Sequence, residues 1–372
     1  MCKVTGFPMR TVCYYISDYG YGHATRSIAV IRHLLRSAGD EQKLIVCAGK
    51  TLPFVRDSLG PDWRIRYRRV ASDLGYILRS DTLEPDFERF RAAYERELVE
   101  LPERVELESA FLRAHNVGLV VSDISPVPFA AAQRCGIPSV GVSNFTWYTA
   151  YNPWLDWNRL EPLHEAYAQM DYFIRLAGAS EPDWGRLGRL DAGFICRPPS
   201  LAESAKLRKT LCPDGKRRIV FFALGMSVEA EDLAQMRLWH SDECLFFVSG
   251  NMQVDFSNVI PIPSSITETQ NVAAASDLVV TKPGWGTVSE AVCLGKPLLL
   301  IKRRFFEEDR NTIGRLDEIG HPYRLMEWDR LRQFVLTRPM FSSSRIGTES
   351  VRVEALNERL DRICSFLKEI ML

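Results

Sequence analysis

Short apolar runs recur along the chain, each ending in a polar or glycine-containing turn and followed by a stretch with helical spacing. Such alternation is what parallel α/β units require. Thr11 to Ser17, Lys43 to Ala48, Val117 to Ser122 and Ser139 to Ser143 read as strands of a first array. Between the second and third lies Phe87 to His115, whose apolar positions Phe90, Ala93, Tyr94, Leu98, Leu101, Val105 and Leu107 suit an amphipathic helix or helix pair, with Pro102 expected to break or kink it. A second array follows at Arg218 to Leu224, Cys244 to Ser249, Asp277 to Thr281 and Pro297 to Lys302. Paired prolines in Asp191 to Ser200 stiffen a linker between the arrays. The tail carries an apolar stripe at Val351, Leu356, Leu360, Ile363 and Leu367. The pattern therefore divides the chain into an N-terminal domain over 1–190, a C-terminal domain over 191–348, and a terminal helix over 349–372. That helix packs on the body, with the N-terminal domain within its reach.

Size agrees with this division, because 372 residues exceed one ordinary core and suit two domains separated by a cleft. With 47 basic and 47 acidic side chains, no global field draws the chain to nucleic acid or anionic lipid. The run Arg64-Ile65-Arg66-Tyr67-Arg68-Arg69 is a local basic patch, able to touch a membrane peripherally or to be a solvated face. Nine cysteines are scattered without ligand-like spacing, which reads as free thiols in a reducing compartment. No apolar leader precedes the first strand and no run of about 18 apolar residues follows, so the expected location is the cytoplasm.

Chemistry concentrates at two turns. The first strand runs into Ser17-Asp18-Tyr19-Gly20-Tyr21-Gly22-His23-Ala24-Thr25-Arg26, and a helix follows. Gly20 and Gly22 let the backbone approach a ligand, and the new helix points free N–H groups into the same space. His23 is positioned either to act as a base or to cap and pack beneath the loop. Thr25 stands where the third glycine of the dinucleotide fingerprint belongs, which disfavours a nicotinamide enzyme. Asp123 ends another strand of the same array, on the same carboxyl edge. It either orients the His23 imidazole or caps the next helix.

The second turn is Thr281-Lys282-Pro283-Gly284-Trp285-Gly286-Thr287-Val288-Ser289-Glu290. Its backbone amides and the Thr287 hydroxyl suit phosphate oxygens, and the helix dipole reinforces them. Glu290, one turn on, can accept from two vicinal hydroxyls such as those of a ribose. Lys282 adds positive charge beside the phosphates, and no D-x-D motif occurs in the chain, so no metal or other cofactor is expected.

Lys282 to Thr287 with Glu290 resembles the donor-binding box of the UDP-glycosyltransferases, where a His-Cys-Gly-Trp-Asn-Ser run precedes a glutamate at this spacing. Gly20 to Arg26 is similar to the Gly-x-Gly-His-x-x-Arg turn of related GT-B proteins. These include the N-acetylglucosaminyltransferase of the peptidoglycan lipid intermediate and the N-terminal region of plant L-arabinokinase. Ser122-Asp123 and Ser143-Asn144-Phe145-Thr146-Trp147 also resemble that last region. The resemblance implies a GT-B fold, two Rossmann-like domains facing a cleft. It implies that Lys282, Gly284, Trp285, Gly286 and Thr287 hold a diphosphate, and that Glu290 holds its ribose. Gly225 and Ser227 match a glycine loop facing the phosphates, and Glu307, Glu308 and Asn311 fall where the family touches the donor sugar. His23 and Asp123 would serve the acceptor hydroxyl, with Gly20, Gly22 and Arg26 on the acceptor side. Lys282 stands in for the family histidine. It also occupies the place, eight residues before Glu290, where retaining enzymes carry a glutamate, so the resemblance implies inversion.

The function expected from this reading is metal-independent, inverting transfer of a sugar from a nucleotide diphosphate, UDP foremost, to a hydroxyl acceptor. The aromatic stretch Phe145, Trp147, Tyr148, Tyr151, Trp154 and Trp157 is either an acceptor platform or a core patch. Two alternatives stay open: a UDP-sugar hydrolase whose histidine turn activates water, and a nucleotide-sugar-binding protein without turnover.

Overall fold

The computed structural model describes residues 11–39, 42–79, 84–224, 233–250, 252, 254–263, 265–336 and 349–371. The first array closes into a seven-stranded, wholly parallel sheet of β1 (Thr11–Ile16), β2 (Leu44–Ala48), β3 (Ile65–Arg69), β4 (Val117–Asp123), β5 (Ser139–Ser143), β6 (Tyr172–Leu176) and β7 (Gly188–Gly193). Its order is β3-β2-β1-β4-β5-β6-β7. Every residue of β2, β4 and β5 is buried, because helices cover both faces. The basic run at Arg64 to Arg69 is the edge strand β3, and Arg68 is paired through its guanidinium with buried Glu108 rather than free for a partner.

The second array forms a six-stranded parallel sheet in the order β10-β9-β8-β11-β12-β13. Its strands are β8 (Arg218–Ala223), β9 (Cys244–Ser249), β10 (Val259–Ile262), β11 (Leu278–Thr281), β12 (Leu298–Ile301) and β13 (Tyr323–Met326). In each sheet the strand order reverses once beside its first strand, between β1 and β4 and between β8 and β11. Ligands of open α/β sheets bind outside the carboxyl ends of strands at such a point.

Three helices position the site. α1 (Tyr21–Ser37) leaves β1, α9 (Trp285–Leu294) leaves β11, and α12 (Glu349–Met371) ends the chain. The helices between them along the chain are α2 (Leu52–Leu59), α3 (Phe87–Ala114), α4 (Val127–Cys135), α5 (Trp147–Tyr151), α6 (Trp157–Ala168), α7 (Leu201–Leu211) and α8 (Thr269–Ala275), with α10 (Glu307–Glu318) and α11 (Trp328–Arg332) before α12. Leu356, Leu360, Ile363 and Leu367 of α12 are wholly buried, whereas Val351 is exposed. α12 lies across both halves, touching α1, β4 and β7 on one side and α9 on the other. Asp361 meets His33 at 2.6 Å there, and Arg352 donates to the Leu294 carbonyl.

Of the break or kink expected at Pro102, the break is absent, since α3 runs unbroken through it. Pro102 faces solvent, so the carbonyl deprived of its N–H partner can be hydrated, and burial of Phe90 and Tyr94 in one apolar cluster and of Val105 in another holds the helix on both sides of the proline.

Candidate active site

The register of β1 against β4 sets Ile16 opposite Asp123. Beyond Ile16 the chain turns at Gly20, whose φ of 86° favours glycine, and α1 begins at once, placing His23 in its first turn. His23 Nδ1 lies 2.8 Å from Asp123 Oδ1. One turn further, Arg26 reaches the same carboxylate with Nε on Oδ2 at 2.7 Å and Nη2 on Oδ1 at 2.6 Å. The Ser27 hydroxyl donates to Oδ2, and Arg26 also donates to Asn144 Oδ1 and Ser143 Oγ. His23, Arg26 and Asp123 are all buried. Burial alone would raise the Asp123 pKa, but the Arg26 guanidinium and then His23 more than offset it and hold the carboxyl at about 2. Arg26 Nη2 is also 2.8 Å from His23 Nδ1 and cannot accept. In the tautomer whose Nδ1–H donates to Asp123, Nε2 carries no proton and can take one.

The turn after Asp123 is strained, since Ile124, a β-branched residue, has φ 71°. Such a conformation costs about 1–3 kcal/mol and persists only where the surroundings fix it. Here the Tyr167 hydroxyl donates to the Ile124 carbonyl and accepts from the Trp147 backbone N–H.

Across the gap, β11 ends at Thr281, whose hydroxyl donates to the Ala223 carbonyl of β8. Lys282, Pro283 and Gly284 then lead into α9. Neither α1 nor α9 has a side-chain cap at its N-terminus, so first-turn N–H groups of both stay open. The two helix starts meet: a Cβ placed on Gly286 would stand 2.8 Å from Gly22 Cα. Their positive ends thus converge on one space. Lys282 is half-buried there, and burial, then the nearby Arg303, lower its ammonium to about 8. Among the described residues no carboxylate comes within ion-pairing distance of it. Glu290 is buried on α9, 3.4 Å from Arg197, and burial raises its pKa while Arg197 opposes that rise.

These groups share a cleft of about 580 Å³ lined from both halves. Of the residues singled out in the sequence, Gly20, Gly22, His23, Arg26, Lys282, Gly284, Trp285, Gly286, Thr287, Glu290 and Glu308 line it. Trp285 does so with its indole committed elsewhere: Nε1 donates to the Ala177 carbonyl, the ring stacks on Phe194, and Arg26 lies over it at 5.2 Å. Trp147 and Tyr148 do not reach the cleft. Trp147 is buried in an aromatic core with Tyr76 and Tyr151 and donates to Asp73, while Tyr148 packs on His164 and Trp184. Phe145, Trp147 and Tyr151 are therefore core, while Tyr148 and Trp154 are half-buried and Trp157 is exposed. Glu307 pairs with Arg310, and the Asn311 backbone packs against Gly178; neither lines the cleft. Gly225 and Ser227 lie outside the described residues.

Sequence reasoning gave no role to Tyr19, Arg303 or Arg197. Tyr19 and Arg303 line the cleft, Arg303 held by buried Asp309. Arg303 follows the carboxyl end of β12, the rule that found the other positions, whereas nothing in the proline linker marks Arg197. Among the described residues, no group of three or more His, Cys, Asp or Glu side chains is gathered as a metal site needs. Nor, among the described residues, is any helix long and apolar enough to cross a membrane.

No protein-family model matches the chain. Among solved structures, the glycotransferase of kitacinnamycin superposes with a TM-score of 0.62 at 13% identity, over 97% of this chain and 99% of that one. The fold is GT-B. The calicheamicin glycosyltransferase CalG4 shares this GT-B architecture with a TM-score of 0.59 at 16% identity, over 98% of each chain. Arabidopsis thaliana UGT89C1, complexed with quercetin, gives 0.62 at 14%, over 98% of this chain and all (100%) of that one. In sequence, the chain is similar to the L-arabinokinase of Arabidopsis thaliana, 29% identical over 304 residues. That match takes in 80% of this chain but 28% of the kinase, so the chain spans little more than a quarter of the length of this curated relative.

Proposed function

We propose that this GT-B chain transfers a sugar from a nucleotide diphosphate to a hydroxyl acceptor, with inversion and without a metal. The observation that carries the reading is the shared cleft in which His23, backed by buried Asp123, faces two uncapped helix starts, Lys282 and Glu290. Diphosphate oxygens would accept from the N–H groups of α1 and α9, from Thr287 and from the Lys282 ammonium. Glu290 would accept from the ribose hydroxyls, and Glu308 would stand by the donor sugar. As the acceptor oxygen bonds to the anomeric carbon, its proton passes to His23 Nε2, and Asp123 stabilises the imidazolium formed. The bond from the anomeric carbon to the diphosphate breaks with its electron pair on the departing oxygen. Helix dipoles and Lys282 stabilise that charge. UDP-sugars are the first donors to test, because the GT-B neighbour UGT89C1 also has a structure complexed with UDP-L-rhamnose.

A hydrolase is the second reading, favoured by one observation. Trp147 and Tyr151 are core residues that do not line the cleft, so they offer no stacking platform there, which water does not need. A thermal-shift panel of nucleotide sugars identifies the donor by its stabilisation of the fold. The donor is then supplied with a labelled sugar and no acceptor. Slow release, accelerated and redirected into product by an added hydroxyl acceptor, supports transfer. Rapid stoichiometric release of free sugar supports hydrolysis, and binding without any turnover would reject both.

A further inference from the structure

The connector between the sheets carries a cation that the proposed chemistry does not use. Arg197 lies between β7 and α7, and its side chain is wholly buried. Nη1 donates to the Thr267 carbonyl at 2.6 Å and faces Glu268 Oε1 at 3.4 Å. Nη2 donates to Thr269 Oγ1 at 3.2 Å and faces Glu290 Oε1 at 3.4 Å. Glu268 is held from the other side by both Nη atoms of Arg32, on α1, at 2.8 Å, and by the Ser58 hydroxyl of α2. A row of alternating charge, Arg32, Glu268, Arg197 and Glu290, thus crosses the seam from α1 to α9.

We propose that Arg197 is the positioning residue for the Glu290 carboxylate, holding it aimed into the cleft and so setting a preference for ribose over deoxyribose nucleotides. This rests on the reading of Glu290 as the ribose acceptor. Two features carry it. The contact to Oε1 at 3.4 Å is too long to use up the carboxylate, and among the described residues Oε2 has no hydrogen-bond donor, which leaves it open to a hydroxyl. Burial pushes this carboxylate toward its neutral form, which accepts hydrogen bonds less well, and Arg197 opposes that push. Among the described residues Arg197 is the cation within reach of Glu290, and the Thr267 carbonyl and Thr269 hydroxyl fix its fork so that charge and direction are supplied together.

Calorimetry on the full chain tests this. The ligands are whichever of UDP, GDP, ADP and CDP gives the largest thermal shift, and its 2′-deoxy counterpart. The wild type is expected to prefer the ribose form about tenfold or more, the ratio carried by one hydrogen bond to a charged group. Arg197→Met should reduce this to about threefold or less while binding of the deoxy form changes by no more than about twofold. A purely structural role would weaken both ligands alike. Arg197→Lys, which keeps the charge without the fork, should give an intermediate ratio. If the methionine variant does not fold, an unchanged ratio in the lysine variant overturns the proposal and a ratio at least halved supports it. Full preference retained in Arg197→Met also overturns it. Wild-type protein that binds a nucleotide without preferring ribose, or binds none, overturns instead the ribose reading of Glu290.

Discussion

Replacing Gly286 by alanine tests how closely the two halves of the site are set. The added Cβ would stand 2.8 Å from Gly22 Cα, a backbone atom that no side-chain rotation can move aside. Carbon atoms rest at about 3.5–4.0 Å, so the helix starts must part by roughly 1 Å. Overpacking of this kind costs about 1–3 kcal/mol, which the large shared core can bear. Catalysis is more sensitive, because a displacement of about 1 Å between a positioned base and its target can lower the rate about 10²-fold. The reciprocal change differs sharply: a Cβ on Gly22 meets the Gly286 backbone nitrogen at 3.6 Å, an ordinary contact. Gly286→Ala should therefore turn over nucleotide sugar about 10²-fold more slowly than wild type, and Gly22→Ala should stay within about threefold. The assay is steady-state consumption of the donor identified by thermal shift, with melting curves to confirm folding. Equal activities in the two variants, or a greater loss in Gly22→Ala, would refute the reasoning.

Lys282 should trade stability for binding. Its ammonium is held down to about 8, so the fold penalises the charged form, and stability rises as pH climbs from about 8 toward the ordinary lysine value. Lys282→Met should stabilise the ligand-free protein at pH 7 by about 1–3 kcal/mol, read from denaturant midpoints, yet weaken nucleoside diphosphate binding about tenfold or more. Wild-type affinity should also decline as pH rises through about 8, a decline absent from the methionine variant. Asp123 adds a second loss of stability toward acid, in a lower pH window. Its depressed carboxyl, at about 2, stabilises the fold by about 2 kcal/mol above pH 4, and this is lost as pH falls from about 4 to 2. Arg26→Met leaves that buried carboxylate without its main cation and should cost about 3–5 kcal/mol, moving the acid transition upward in a circular-dichroism titration.

Strands buried on both faces were legible as short, mostly apolar runs, and β5 and β9 coincide with their runs to the residue. Edge strands were not. β3 reads as a charge cluster and β13 as a mixed stretch, since an edge with one wet side needs no continuous apolar run. The turns carrying His23, Asp123 and Lys282 to Glu290 were legible from one rule, that chemistry gathers at the carboxyl edge beside a helix start. Aromatic residues carry no such positional rule. Trp147 serves a core as readily as a sugar, and only packing decides. Arg197 and the Arg26 fork were hidden because their meaning lies in partners about 70 to 120 residues away in sequence.

The central claim is a division of labour across one cleft, donor held at the start of α9 and proton taken by the imidazole of α1. His23→Ala tests it most directly, with donor binding measured by calorimetry and turnover by product formation on the same preparation. The account predicts donor affinity within about twofold of wild type and turnover lowered about 10²-fold or more. Undiminished turnover, or loss of donor binding in step with turnover, would contradict it.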